Sequence, residues 1–122
     1  MQIPRHKMKE IFIVEDNDHI RELLEFILTD QDYAVKSFPN AKSFQKLITT
    51  KHPDLILMDI MLPDGNGLEM CNKLGYNEET SNIPVILMSA HANINKDNCA
   101  VDFIPKPFDV EDLINRIGVQ LK

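Results

Sequence analysis

Polar residues stand where short apolar runs give out. Glu15 and Asp16 follow Ile11-Phe12-Ile13-Val14, Asp59 follows Leu55-Ile56-Leu57-Met58, and Ser89 follows Val85-Ile86-Leu87-Met88; Lys106 lies just past Val101 to Ile104. These residue types suit phosphoryl chemistry. Three carboxylates in one small pocket repel one another and demand a cation. All-oxygen ligands favour a hard ion, and Mg²⁺ takes few carboxylates while keeping places for waters and a phosphate oxygen. A carboxylate can itself attack phosphorus and form an aspartyl phosphate. Charge on the transferring group is then met by the metal and by an ammonium such as that of Lys106. Pro105 and Pro107 restrict the backbone on either side of that lysine. Ser89 offers a hydroxyl donor, and the small Ala90 beside it leaves access. Taken singly, each residue has a plainer reading. An acidic pair can favour a helix N-terminus, an aspartate at a strand end can be a solvated turn residue, and a lysine between prolines can be surface loop. Their order on successive strands carries the chemistry.

Those strands need a frame. Ile11 to Val14 is continuously apolar and β-branched, the pattern of a strand covered on both faces. Asp18 is a suitable N-cap for a helix whose apolar face is Ile20, Leu23, Leu24, Ile27 and Leu28. Tyr33 to Phe38 is a mixed, partly polar strand and is expected at an edge. Asn40 caps a helix bearing Ala41, Phe44, Leu47 and Ile48, and Pro53 closes that region. The strand from Leu55 follows, then a turn over Pro63-Asp64-Gly65-Asn66-Gly67. A short helix from Leu68 to about Tyr76 leads to the strand at Val85. Val101 to Ile104 is a short fifth strand. Asp109 caps a final helix with an apolar face of Val110, Leu113, Ile114, Ile117 and Leu121. Alternating strands and helices imply parallel crossovers and a central sheet covered on both faces. In such sheets, ligands bind beyond the carboxyl ends of the strands. Glu15, Asp16, Asp59, Ser89 and Lys106 all fall there.

A chain of 122 residues fits one domain around one core, and with 43% apolar residues it can pack an interior. The net charge of −6 argues against nucleic acid as the main partner. The greasiest stretch, Leu55 to Leu62, contains Asp59 and is too short to span a bilayer. Basic residues near the N-terminus lack the apolar segment of a secretion signal. Cys71 and Cys99 form no CxxC pattern and are expected to be reduced cytosolic thiols. His6, His19, His52 and His91 show no metal-ligand spacing.

The segments IFIVEDND, LILMDIMLPDGNG, VILMSA and DFIPKPF, in this order, resemble the receiver domains of bacterial response regulators. The likeness runs from about Met8 to Lys122 and leaves residues 1–7 as an N-terminal extension. It implies a flavodoxin-like (βα)5 fold with a doubly wound parallel sheet in the order 2-1-3-4-5. It implies that Glu15 and Asp16 hold Mg²⁺, Asp16 directly, and that Asp59 accepts the phosphoryl group. The backbone carbonyl of Met61 completes the metal site, Ser89 is the switch hydroxyl, and Phe103 is the aromatic that changes rotamer. Lys106 matches the family lysine, followed by a cis bond to Pro107. The donor would be the phosphohistidine of a sensor histidine kinase or phosphorelay protein. Phosphorylation would bias two pre-existing conformations and so control an unknown downstream protein. A cytoplasmic protein is expected, a monomer or weak dimer, without direct contact to nucleic acid or membrane. With no output domain expected after the last helix, signalling by protein contact or a relay role is expected, the alternative being an excised fragment of a larger protein.

The chain departs from that family after Ser89. The stretch HANINKDNCA (residues 91–100) must serve as a whole crossover, and Asn93, Asn95 and Asn98 prefer turns and caps to helix interiors. A fourth helix reduced to a turn or two, or an irregular loop, is expected. Cys99 stands where the family commonly has glycine. Met61 and His91 are expected to flank the phosphoryl site, His91 as a solvated side chain. A turnover phosphatase with an aspartyl nucleophile would need a second acid two residues on, and Met61 cannot donate that proton. The chain therefore reads as a phosphoacceptor switch rather than an enzyme. The alternative is a degenerate receiver that binds partners independently of phosphorylation. There is no GxxxxGK[ST] for nucleotide, Gly65-Asn66-Gly67 is too short for GxGxxG, and Arg21 stands where an EF-hand beginning at Asp16 needs glycine.

Overall fold

Uninterrupted apolar runs four or five residues long can be satisfied only by strands with both faces covered, and the chain folds accordingly. The computed structural model describes Pro4, residues 7–90 and residues 99–122. In chain order the elements are β1 (Glu10–Val14), α1 (Asp18–Asp30), β2 (Ala34–Phe38), α2 (Ala41–Ile48), β3 (Leu55–Asp59), β4 (Met61–Leu62), β5 (Gly65–Asn66), α3 (Gly67–Tyr76), β6 (Val85–Ser89), β7 (Asp102–Pro105) and α4 (Val110–Gln120). The expected shortening of the fourth crossover helix and the setting of His91 fall on residues 91–98, outside those described.

The five-stranded sheet has the order β2-β1-β3-β6-β7, and every pairing in it is parallel. This is the expected 2-1-3-4-5 order. The numbering differs because β4 and β5 form a separate two-residue antiparallel hairpin where the sequence shows the 63–67 turn. As expected, β2 lies at an edge. The three central strands, β1, β3 and β6, carry the buried runs. Alternation along them builds two cores. Phe12, Val14, Ile56, Met58 and Leu87 face α2 and α3. Ile11, Ile13, Leu55, Leu57 and Met88 face α1 and α4. Each such side chain contributes roughly 1.5–3 kcal/mol by leaving water.

Several local expectations hold and others are corrected. Asn40 caps α2 by accepting from the Ser43 N–H, and Asp109 caps α4 by accepting from the Asp112 N–H. At α1 the cap is Asn17, not Asp18: Asn17 accepts from the Ile20 N–H, and Asp18 is already helical. An uncharged amide does that work while Asp18 turns outward to Arg21. Leu23 and Val110, assigned above to apolar faces, are 46% and 43% exposed. Their neighbours Leu24 and Leu113 fill the space against the sheet instead.

The cysteines are not a reduced pair. Cys71 of α3 and Cys99, shortly before β7, form a disulfide with a Cα–Cα separation of 5.8 Å. Packing of α3 and of the approach to β7 against the same core brings together sulfurs 28 residues apart. Sequence spacing carries no trace of that geometry.

Candidate functional site

β1, β3 and β6 end side by side, because Val14 pairs with Met58 and Asp59 with Met88. Their first polar residues are thereby delivered to one edge. Glu15 is 1% exposed, Asp59 7% and Ser89 6%, while Asp16 projects to solvent. Single carboxylate oxygens of Glu15, Asp16 and Asp59 all lie within 4.8 Å of one another.

Lys106 answers that charge. Its Nζ donates to Glu15 Oε1 and to Asp59 Oδ2. The backbone holds it in place: Lys106 N–H donates to the Ser89 carbonyl at 2.8 Å, and the Lys106–Pro107 bond is cis, as the resemblance implied. The remaining carboxylate oxygens have partners too. Glu15 Oε2 accepts from the Asn17 N–H at 3.1 Å, and Asp59 Oδ1 accepts from the Met61 N–H at 3.1 Å.

Electrostatics follow from burial. Desolvation raises the pKa of Glu15, and the bonds from Lys106 and the Asn17 N–H pull it only partly back. Burial works against the charge of Lys106, yet the bonds to Asp59 and Glu15 outweigh it and hold the ammonium above its ordinary range. The site is therefore a buried carboxylate pair bridged by one ammonium, with a third carboxylate at its mouth.

This donor set fits a hard divalent cation. It is all oxygen, it is anionic, and it converges within the span of one coordination sphere. Asp16, being exposed, leaves an open side for waters and a substrate oxygen.

Of the residues singled out in the sequence, Glu15, Asp16, Asp59 and Lys106 converge. Ser89 sits at the adjoining strand end. Met61 touches the site through its N–H on Asp59, and its side chain is 63% exposed. Phe103 is set back, partly buried against the core that holds Phe12 and Leu87. Sequence reasoning gave no site role to Arg21, Gly67 or Asp64. Arg21 Nη1 donates to the Glu15 carbonyl at 3.0 Å and its Nη2 to Asp18 Oδ1 at 2.7 Å, fixing the turn that carries the acidic pair. A Cβ on Gly67 would lie 2.3 Å from the Asp59 carbonyl oxygen, so only glycine lets α3 start against the acceptor strand. Asp64 accepts from the Ala41 and Lys42 N–H groups at 2.7 and 3.0 Å, anchoring the loop after Asp59 to the start of α2. A helix N-terminus lacking donors' partners is the one signal that pointed toward such a contact.

Comparison with known proteins agrees with this geometry. The family model described as response regulator receiver domain matches residues 11–118. The DNA-binding dual master transcriptional regulator RpaA of Synechocystis is 33% identical over 120 residues, which covers 94% of this chain and 50% of RpaA. The chain spans about half the length of the curated relatives it matches. Among solved structures, the signal receiver domain of a signal transduction histidine kinase from Syntrophus aciditrophicus is 30% identical with a TM-score of 0.83, covering 93% of this chain and 89% of that one. The response regulator TrrA of Thermotoga maritima, solved in complex with Mg(2+)-BeF, is 26% identical with a TM-score of 0.84, covering 93% of this chain and 99% of that one. No helix among the described residues is long and apolar enough to cross a membrane. Fold order, strand-end chemistry and the family match over residues 11–118 converge: this chain belongs to the response regulator receiver domain family.

Proposed function

We propose that the chain is a phosphorylation switch in which Asp59 takes a phosphoryl group from a phosphohistidine of a sensor histidine kinase or a phosphorelay protein. The observation that carries this reading is Lys106 Nζ bridging Glu15 and Asp59 beside Asp16. An Asp59 carboxylate oxygen forms the new P–O bond as the P–N bond to the donor imidazole breaks, and the imidazole leaves and regains a proton. Lys106 and the Met61 N–H hold the Asp59 carboxylate in one orientation, which lowers the entropic part of the barrier. Mg²⁺ held by Glu15, Asp16, Asp59 and the Met61 carbonyl would neutralise charge on the phosphoryl oxygens. Lys106, released in part from Glu15, then pairs with the acquired phosphoryl charge. Ser89, at the neighbouring strand end, supplies a hydroxyl donor to it. Phe103 follows the displaced loop, so the modification biases two conformations and thereby an unknown downstream protein. Met61 stands where a turnover phosphatase would need an acid, so Asp59 is an acceptor and not a catalyst of repeated hydrolysis. The reading places the chain in the cytoplasm, within reach of a kinase, as a monomer or weak dimer.

Incubation with a small phosphodonor and Mg²⁺, read by intact mass, tests the assignment. One phosphoryl adduct is expected on the native chain and none on Asp59→Asn. An undiminished adduct on the variant would reject Asp59. Absence of any adduct, with no binding of Mg²⁺ or beryllofluoride, would favour the phosphorylation-independent interaction module instead.

A further inference from the structure

The acceptor chemistry makes no use of the Cys71–Cys99 bond, although that bond joins two segments that frame the site. Cys71 lies one turn into α3, the helix whose first residue, Gly67, rests on the Asp59 carbonyl and donates its N–H to Ile60 O at 2.7 Å. Cys99 lies just before β7, the strand that carries Phe103 and runs into Lys106. Between them the chain passes through β6 and Ser89. The disulfide thus closes a covalent ring that includes β6 and Ser89.

We propose that Cys71 and Cys99 form a reversible thiol–disulfide exchange site, with low-molecular-weight thiols and disulfides of the glutathione class as co-reactants, and that oxidation clamps the start of β7 to α3.

Three observations support this. First, the exchange chemistry has an accessible side. Cys71 is 1% exposed, whereas Cys99 is only partly buried against the same core. An incoming thiolate therefore meets the Cys99 sulfur, and Cys71 departs as the thiolate. A second thiolate then resolves the mixed disulfide at the small-molecule sulfur. One protein S–S bond breaks, one small-molecule S–S bond forms, and two electrons and two protons enter the protein; oxidation is the reverse. Second, in the compartment that a kinase-linked receiver implies, disulfides are transient or redox-sensing rather than permanent structural links. Third, β7 is an edge strand with a sheet partner on one side only, β6. Hydrogen bonds at its ends and on its outer side include that of Val101 N–H to Val85 O at 2.9 Å and those of Arg116 to Asp102 Oδ1 at 2.7 Å and Phe103 O at 2.9 Å. Adding a covalent tie to α3 restricts such a strand, while removing it frees the segment to shift. A conformational change involving Ser89, inside the ring, and Phe103, four residues beyond its Cys99 end, is constrained when the bond is closed and escapes that constraint when it is open. The compartment argument and the consequence for phosphoacceptance rest on the proposed function; the geometry of the two sulfurs stands without it.

The native chain equilibrated across graded ratios of reduced to oxidised glutathione, quenched with an alkylating agent and weighed intact, is expected to carry either no label or two, with one midpoint. Two labels at every ratio would overturn the exchange site. Amide hydrogen exchange over β7 is expected to be slower in the oxidised form than in the reduced form. Titration with Mg²⁺ and beryllofluoride is expected to show about fivefold tighter binding or more when reduced. Cys71→Ser and Cys99→Ser should behave as the reduced form in either buffer, which ties the effect to this bond. Equal β7 exchange and equal beryllofluoride affinity in the two forms would overturn the clamp. A difference in β7 exchange with no beryllofluoride binding in either form would instead reject the phosphoacceptor reading and leave the clamp supported.

Discussion

Replacing Lys106 by methionine keeps most of the buried side-chain volume and deletes the ammonium that bridges Glu15 and Asp59. The two buried carboxylates then face each other, with Asp16 beside them. Their oxygens lie within 4.8 Å, so one ionised pair repels by about 3.5 kcal/mol at an effective dielectric of ~20. That agrees with the roughly 3–5 kcal/mol observed when one partner of a buried ion pair is removed. For a domain of this length the loss corresponds to a fall in Tm on the order of 10 °C near neutral pH in the presence of EDTA. The sign with pH is fixed by Glu15, whose folded pKa is raised, chiefly by burial. A carboxyl raised in the fold contributes stability that is complete below its unfolded pKa of about 4.5 and is lost as pH rises through the folded value. In Lys106→Met the pull of the ammonium is gone, so the folded value climbs further and more stability is lost at neutrality. Thermal melts in EDTA from about pH 4.5 to 8 should show the variant's deficit widening as pH rises. Mg²⁺ should recover much of it, since a cation at the same carboxylates replaces the missing charge. A deficit constant across that range, or a variant as stable as the native chain near neutral pH, would refute the electrostatic account of the site.

In the Lys106→Met background, Asp59→Asn removes the unbridged repulsion, so the double variant should melt above Lys106→Met in EDTA while binding Mg²⁺ more weakly, both readable by melts with and without the metal; a double variant melting below Lys106→Met without metal would contradict the repulsion. Saturating the native chain at about a hundredfold over its Kd for Mg²⁺ should stabilise it by about 2.7 kcal/mol, and chelation should reverse this. Gly67→Ala forces a methyl to 2.3 Å from the Asp59 carbonyl, so it should cost roughly 1–3 kcal/mol and slow phosphoacceptance by moving the acceptor strand; unchanged stability in denaturant melts would show that α3 yields freely. Asp64→Ala should lower Tm and weaken Mg²⁺ binding by loosening the loop that carries Met61, whereas Asp64→Asn, which keeps an acceptor, should retain most of both. Backbone N–H groups of Ala41 and Lys42 hold the Asp64 pKa below the usual range, so its contribution is present above about pH 3.8 and lost as pH falls through the lowered value.

The chemistry-bearing residues were legible because each lies directly after a buried strand, and buried strands announce themselves as unbroken apolar runs. Sequence therefore determined the five sheet strands, their parallel pairing, and the edge at which Glu15, Asp16, Asp59, Ser89 and Lys106 gather. Helix caps at Asn40 and Asp109 were equally local and equally readable. What crosses the chain was not. That Lys106 bonds Glu15, 91 residues away, as well as Asp59, follows from the neighbouring strand ends and from the backbone bond to Ser89. Asn17 displaced Asp18 as the cap of α1 because Arg21, reaching back to the Glu15 carbonyl, engages Asp18. Leu23 and Val110 fit an apolar periodicity yet stay exposed, since periodicity gives a face and only packing gives its width. The Cys71–Cys99 bond is the clearest case. Thiols pair by where their backbones meet in space, and that meeting is decided by how α3 and the approach to β7 dock on a shared core, which no spacing along the chain encodes.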